Sequence, residues 1–573
     1  MRYILLSIMC ASLVVACDQT ATVLNTETED RAKLTSSNNN AFFSSSPNPT
    51  ITPQNSYSDL FLDSVSIERY LSENKIQDST ANNIRSFYNK RNYQFAWFNS
   101  NGFTEQGRGF WNLYHHTHQD KEATNKKLLQ KMDTLIEIDT LKVTASDSSY
   151  IATELALTRQ FINYVLANNN SGIFSGISLY QFIPEVKVQP MAWADSLLNK
   201  QEGTARTDSS TKATAPYQMM KQKLRDYYTI AQNGGWGTVS LQGKSLRKGA
   251  ASPSVVAIKK RLQATGEYTG ADTSNVYNDS LEVAIKAYQQ RHGMHATGII
   301  TDSVVKAMNV PVERRLEQII INMNRMAWMP APSSDRIISV NIPEYMLYVH
   351  ENGSRTMDMQ VVVGKQGATT MMFNGNLNQI VFSPHWNIPE EIVKEKILPA
   401  MKSDPSYLKK NNMEVVKQND SLPTIRQLPG DQNALGKVKF LFPNSHDIIL
   451  HDSPNKELFA RDKRAFSNGC IRLADAEKMA VYLLQDNQSW TREKIRAAMN
   501  SNKEQYVSIN KPVPVIISYY TAWVDEDGQL NFRDDVYGHD MAVAQRMFTT
   551  SAYNNVNGNI ADSSIHKKDS AKL

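Results

Sequence analysis

The sequence predicts a multidomain α+β protein, with a helical first half followed by a strand-rich second half. Three observations carry this. At 573 residues the chain is too long for one hydrophobic core. Apolar residues recur at helical spacing through roughly its first half. Beyond that the pattern changes to short apolar runs broken by Gly, Asn and Pro, which reads as strands and turns. Composition is that of a soluble globular protein, 41% apolar and 21% charged. The net charge of +5 is too mild on this length to suggest nucleic acid, although it suits loose attraction to anionic cell-envelope polymers.

The elements follow in order. Arg2 precedes an apolar run from Ile4 to Ala16 that is too short to span a bilayer comfortably and has the layout of a secretory signal (1–16). Its end, "LVVAC", resembles the lipobox of bacterial lipoproteins, which implies cleavage before Cys17 and lipid attachment to it. An ordinary signal peptide with an incidental Cys17 is the alternative. Residues 17–58, rich in Asn, Ser and Thr, read as a disordered tether.

Residues 59–239 are helical. "IATELALTRQFINYVL" puts Leu155, Thr158, Phe161, Ile162 and Val165 on one stripe, and "YQMMKQKLRDYYTIAQ" does so with Met220, Leu224, Tyr227 and Tyr228. Tyr88, Tyr93, Trp97 and Phe98 read as core, and the polar stretch after Asn199 as a loop. Residues 240–310 form a compact unit of three short helices, punctuated by Gly266 and Gly293 and capped near Asp279, Ser280, Thr301 and Asp302. A connecting helix fills 311–335. Strands then dominate 336–545, with turns at Asn352-Gly353, Gly364 and Asp527-Gly528, and 546–573 reads as a disordered tail.

Cysteine arithmetic isolates one residue. Cys10 would leave with the signal and Cys17 would carry lipid, so Cys470 stands alone where disulfides form. Its surroundings, "RAFSNGCIRLAD", are polar, which argues against an inert buried thiol. A cysteine nucleophile needs a base, and His451 ends the apolar run "DIIL". Gly469 permits an unusual backbone, and the N–H groups of Gly469 and Cys470 could face a developing oxyanion. Zinc held by His446, His451, Asp452 and Cys470 is the rival. On an unbroken strand, residues 446 and 451 would point to opposite faces, which disfavours it.

The span "LHDSPNKELFARDKRAFSNGCIRL" resembles the catalytic signature of the YkuD-type L,D-transpeptidases: His, a spacer, then Ser/Thr-x-Gly-Cys-apolar-Arg. "VVVGKQGATTMMF", "SPHWNIPEEI", "RQLPGDQNALGKVKF" and "PVPVIISYYTAWVDEDG" extend the likeness. "FYNKRNYQFAWF", the lipobox and the 240–310 unit, which is similar to a peptidoglycan-binding module, point to the YcbB-like branch. The module's alternative is a helical spacer.

The resemblance implies a mixed β-sheet or sandwich catalytic domain with a capping insertion at about 397–424, an α-helical scaffold domain and a small three-helix peptidoglycan-binding domain. It implies nucleophile Cys470, base and later acid His451, and oxyanion or orienting roles for Gly469 and Asp452. The Asp452 carbonyl is the candidate to orient the imidazole. Ser467, Asn468, Arg472 and Trp386 would bind substrate, although Arg472 could instead pair with Asp475. Asn468 departs from the histidine common at that position. No metal or organic cofactor is implied.

The implied reaction is acyl transfer through a Cys470 thioester. A donor tetrapeptide stem would lose D-Ala, and an acceptor amine would complete a 3→3 cross-link. Water or a protein lysine as acceptor, and a non-enzymatic wall-binding lipoprotein, are the alternatives. The implied setting is periplasmic, with a lipid anchor on Cys17 in the inner or outer membrane and other wall synthases as candidate partners.

Overall fold

The computed structural model describes residues 44–117, 126–137, 141–168, 183–199, 215–329, 334–418, 422–444 and 446–551. The expected signal, Cys17, most of the tether and polar stretch, and the end of the tail lie outside them. The tether was expected to reach residue 58, but the chain is packed from residue 44. Ser44 N donates to Ser86 Oγ, Asn48 N to Asn89 O, and Ile51 and Tyr57 are buried. Their apolar side chains find a surface that the flanking Asn and Ser obscure in the sequence. Likewise the tail begins later than residue 546, because Met547, Phe548 and Ser551 are buried.

Helices α1 (Ser64–Glu73), α2 (Asp78–Lys90), α3 (Glu105–Thr117), α4 (Lys126–Glu137) and α5 (Ser148–Asn168), with a hairpin of β1 (Phe98–Asn99) and β2 (Gly102–Phe103), surround one aromatic core. Of the expected stripe, Leu155, Thr158, Phe161 and Ile162 are fully buried and Val165 is half-buried, and of the expected aromatics Tyr88, Trp97 and Phe98 are buried and Tyr93 half-buried. One carboxylate organises this core. Glu154 accepts from Ala96 N, Trp97 N and the Tyr88 hydroxyl, and burial pushes its carboxyl up to about 7.

Helices α6 (Pro190–Asn199) and α7 (Ala215–Gln232) belong elsewhere. Met220, Leu224 and Tyr227 pack with α11 (Val312–Ala327), the hairpin of β17 (Ala522–Val524) and β18 (Leu530–Phe532), and α14 (His539–Met547). The expected connecting helix is therefore a core element, buried on nearly every side.

Between them, α8 (Pro253–Ala264), α9 (Asp279–Arg291) and α10 (Asp302–Met308) enclose a core of their own, tied by β3 (Ser245–Leu246) and β4 (Ile300–Thr301). Gly266 and Gly293 end their helices with positive φ, as expected. The cap of α9 is Asn278 rather than Asp279 or Ser280.

The strand-rich half forms a nine-stranded mixed sheet. It comprises β5 (Arg336–Asn341), β6 (Met346–Glu351), β7 (Ser354–Gly364), β8 (Phe373–Phe382), β12 (Val438–Leu441), β13 (Leu450–His451), β14 (Ala465–Ser467), β15 (Ile471–Leu473) and β16 (Gln505–Ser518). Their order is β14-β7-β15-β13-β12-β8-β16-β5-β6, and β6 pairs again with β7, so the sheet closes on itself. Helices α12 (Ala476–Leu483) and α13 (Arg492–Met499) add to its apolar core.

The insertion is wider than the expected 397–424. It starts at β9 (Trp386–Asn387), runs through helical turns over 390–403 and 407–410, and returns by β10 (Met413–Lys417) and β11 (Thr424–Gln427). β11 pairs with both β10 and β9, which closes a separate small core of Ile388, Val393, Ile397 and Ile425.

Candidate active site

Strand alternation sets the site. Leu450, Ile471 and Leu473 turn into the sheet's apolar core, so His451, Cys470 and Arg472 project from its other face. β13 and β15 pair in parallel, with Leu450 opposite Ile471 and His451 opposite Arg472. Ile471 N donates to Ile449 O at 3.0 Å, which places Cys470 beside Ile449 where the strands meet. The base candidate and the thiol thus sit on adjacent strands, one step out of register.

The imidazole is fixed. His451 Nδ1 lies 2.6 Å from the Asp452 carbonyl oxygen. A carbonyl only accepts, so Nδ1 carries the proton and Nε2 keeps the lone pair. Burial, aided by the Arg472 charge, pushes His451 down to about 4. The Asp452 carboxylate faces away from this bond. It accepts from Lys437 N at 3.0 Å and from Lys456 Nζ at 2.7 Å. Asp452 therefore meets the imidazole through its backbone carbonyl, while its carboxylate ties Lys437 and Lys456.

Burial also raises the Cys470 thiol above the usual thiol range. The Ile449 backbone and the Arg472 charge oppose this, and the Asp447 charge adds to it. Thiol and imidazole are accordingly both neutral at neutral pH. Sγ lies 3.7 Å from the Asp447 carbonyl oxygen, and Cys470 is a free cysteine, half-buried.

The turn before Cys470 is braced by segments distant in sequence. Gly469 has φ +106, open to glycine and strained for other residues. Its carbonyl accepts from Thr370 Oγ1 at 2.7 Å, and Thr370 Oγ1 accepts from Gly364 N at 2.9 Å. Tyr537 donates its hydroxyl to Gly364 O at 2.6 Å. Thr370 and Tyr537 were missed in the sequence, because ninety-nine residues separate Thr370 from Gly469.

Several expected roles change. Gly469 N–H is not free for an oxyanion, since it donates to Ser467 Oγ at 3.2 Å. Ser467 is buried and donates its hydroxyl to Cys470 O at 2.5 Å, so it shapes the turn rather than meeting substrate. Trp386 packs half-buried against the insertion's own core and pairs with Gln427. Asn468 is exposed at the turn's tip. Arg472 does not take up Asp475, whose carboxylate caps α12 at Lys478 N, 2.9 Å. Instead its Nε is buried beside the thiol with no hydrogen-bond partner among the described residues.

The unbroken strand expected to set His446 and His451 on opposite faces does not form. Residues 446–449 are not strand, because the Asn444 side chain gathers His446 N and Ile448 N into a loop, so strand parity does not apply there. Among the described residues no three His, Cys, Asp or Glu side chains gather as a metal site.

Comparisons with known proteins agree region by region. Residues 335–517 match the family model described as "L,D-transpeptidase catalytic domain" (YkuD). Residues 82–224 match "Scaffold domain", and 251–308 match "Putative peptidoglycan binding domain". A curated relative from Haemophilus influenzae, named "Putative L,D-transpeptidase", is 32% identical over 237 residues, which is 39% of this chain and 48% of that protein. The chain thus spans about half the length of that relative.

Solved L,D-transpeptidases from Xylanimonas cellulosilytica and Stackebrandtia nassauensis are also similar. Their identities are 12% and 13%, each covers 49% of this chain, and 100% and 96% of their own chains are covered. With TM-scores of 0.17 and 0.21, these two carry no weight for the site.

Proposed function

We propose that this protein is a cell-wall L,D-transpeptidase making 3→3 cross-links through a thioester on Cys470, a reading supported by the match of residues 335–517 to the L,D-transpeptidase catalytic domain. One observation carries the assignment of residues. The parallel β13–β15 pairing sets the lone pair of His451 Nε2 on the same face as the thiol, with the tautomer held by Asp452 O.

With both groups neutral, the proton moves as the bond forms. His451 Nε2 takes the thiol proton while Sγ attacks the carbonyl of the L-centre of meso-diaminopimelate in a tetrapeptide stem. The oxyanion is met by the N–H of Cys470 itself, since that of Gly469 is engaged. His451 then returns the proton to the leaving D-Ala. The buried, unpartnered Arg472 Nε supports a carboxylate-binding role, because a guanidinium left without an acceptor is costly. It also helps stabilise the developing thiolate and keeps His451 neutral.

A lipid anchor at Cys17 and a periplasmic setting fit this reading. Wall binding through 240–310 would keep substrate near the thiol, with other synthases as candidate partners. The test is intact-mass measurement after carbapenem treatment, together with muropeptide analysis. Wild type gains one adduct and forms dimers from purified disaccharide-tetrapeptides, whereas Cys470→Ala does neither. Cross-linking by Cys470→Ala would sink the assignment.

A further inference from the structure

An open groove of about 640 Å³ runs along the sheet beside the thiol. Its floor is the row of Leu441 opposite Gln379 and Gln379 opposite Ser508, continued by Ile449, whose carbonyl holds the strand that follows Cys470. Asn444 and Asp447 form its rim. Among the described residues lining it, Asp447 alone is charged, and the others are neutral amides, hydroxyls and apolar groups. The Asp447 carbonyl touches Sγ, and its backbone sits at φ +51, a left-handed conformation braced by the Asn444 side chain.

The two ends of the site are therefore sorted by charge. Arg472 lies with His451 at the end where the insertion enters, between Phe382 and Val438. The negative Asp447 lies at the other end. A stem's carboxylates are drawn to the first and repelled by the second, while a cation is drawn to the second.

We propose that this groove receives the acyl acceptor and that the Asp447 carboxylate recognises the acceptor's amine as its ammonium. This rests on the transpeptidase reading and adds to it the groove and the residue by which the acceptor amine is recognised. The ammonium docks at Asp447 and loses one proton to solvent. The neutral amine attacks the thioester carbonyl, and the N–C bond forms as the C–S bond breaks. The amine's second proton passes through His451 Nε2 to the departing thiolate, restoring thiol and neutral imidazole. Asp447 thereby favours the amine over water for one shared acyl-enzyme.

The experiment uses disaccharide-tetrapeptide as donor and acceptor and measures the ratio of cross-linked dimer to hydrolysed tripeptide. Both products come from one thioester, so the ratio is insensitive to how fast that thioester forms. Asn tolerates the left-handed backbone, so Asp447→Asn changes charge with little else. Its ratio is expected to fall about tenfold, in keeping with loss of one charged hydrogen bond, and further in Asp447→Lys. A wild-type ratio in either variant overturns the proposal. So does wild-type preference for a lysine-bearing peptide over the stem when the two compete. If wild type forms no thioester with the tetrapeptide, the transpeptidase reading falls and this inference with it. A thioester that forms but partitions unchanged in the variants overturns this inference alone.

Discussion

Arg472 is the residue whose surroundings bear most on the chemistry, since it lowers the titration of both His451 and Cys470. Arg472→Gln removes that charge and is expected to move both upward, which an NMR titration of the imidazole and a pH profile of thiol alkylation would report. Unmoved titrations would argue against the placement of the guanidinium. The sign for stability also follows. An unfolded imidazole titrates near about 6.5, whereas the folded one is held at about 4. The unfolded state therefore binds more protons between these values. The stability gained from a neutral His451 is complete above about pH 6.5. It drains away as pH falls toward about 4, which urea unfolding at stepped pH should register. Cys470 and His451 were legible as candidates from side-chain type, and their expected roles came from the resemblance of the span around them. Ser467 was misjudged because a serine beside a nucleophile looks the same whether its hydroxyl meets substrate or the backbone.

Elements hold these residues through close backbone approach. At Gly436, φ is +64 and an added Cβ would lie 2.5 Å from Asp452 Oδ2. Gly436→Ala is thus expected to displace Asp452 and, through its carbonyl, the imidazole. A fall in turnover with a lowered Tm would register this. Thr370→Val removes both the donor to Gly469 O and the acceptor of Gly364 N, each bond worth about 1 kcal/mol or more when its partner is left buried. Turnover should drop more than about tenfold, with rescue by Thr370→Ser. A silent Thr370→Val would remove Thr370 from the positioning of the turn. The sequence placed the longer strands and helices well because apolar alternation and 3.6-residue stripes leave a local trace. It overextended β13 into "DIIL", where the Asn444 side chain competes with the ladder for backbone N–H groups. It also under-measured the insertion, whose first strand, Trp386–Asn387, is defined by pairing with a segment about forty residues later.

Across the whole molecule, the regions distinct in sequence are joined by buried polar contacts. Arg325 on α11 pairs with Glu105 of α3 at 2.7 Å and with Asp540 of α14 at 2.5 Å. Arg325→Met would take the guanidinium from the half-buried Glu105 and from the buried Asp540, which would keep its bond from Thr521 Oγ1, a loss of about 3 kcal/mol. A clear fall in Tm by calorimetry is expected, and an unchanged Tm would contradict the buried pairing. The 240–310 unit is likewise docked. Arg291 donates to Leu530 O and pairs with Glu267, while Arg533 Nη1 donates to Arg291 O at 2.9 Å. Arg291→Ala should expose the segments around it to limited proteolysis.

By itself the sequence determined the α+β order, the helical stripes and the three-helix unit, and it named Cys470 and His451 as candidates that the fold brings onto neighbouring strands. Each rests on local periodicity or on side-chain chemistry, which a linear string records. Tertiary structure alone decided that the Gly469 N–H is engaged by Ser467, that Arg472 Nε is buried, that Thr370 braces the turn before Cys470, and that α7 and α11 share a core with β17 and β18. Those are contacts between distant segments. Their partners are chosen by packing and by the need to satisfy every buried polar group, and neither is written at any one position.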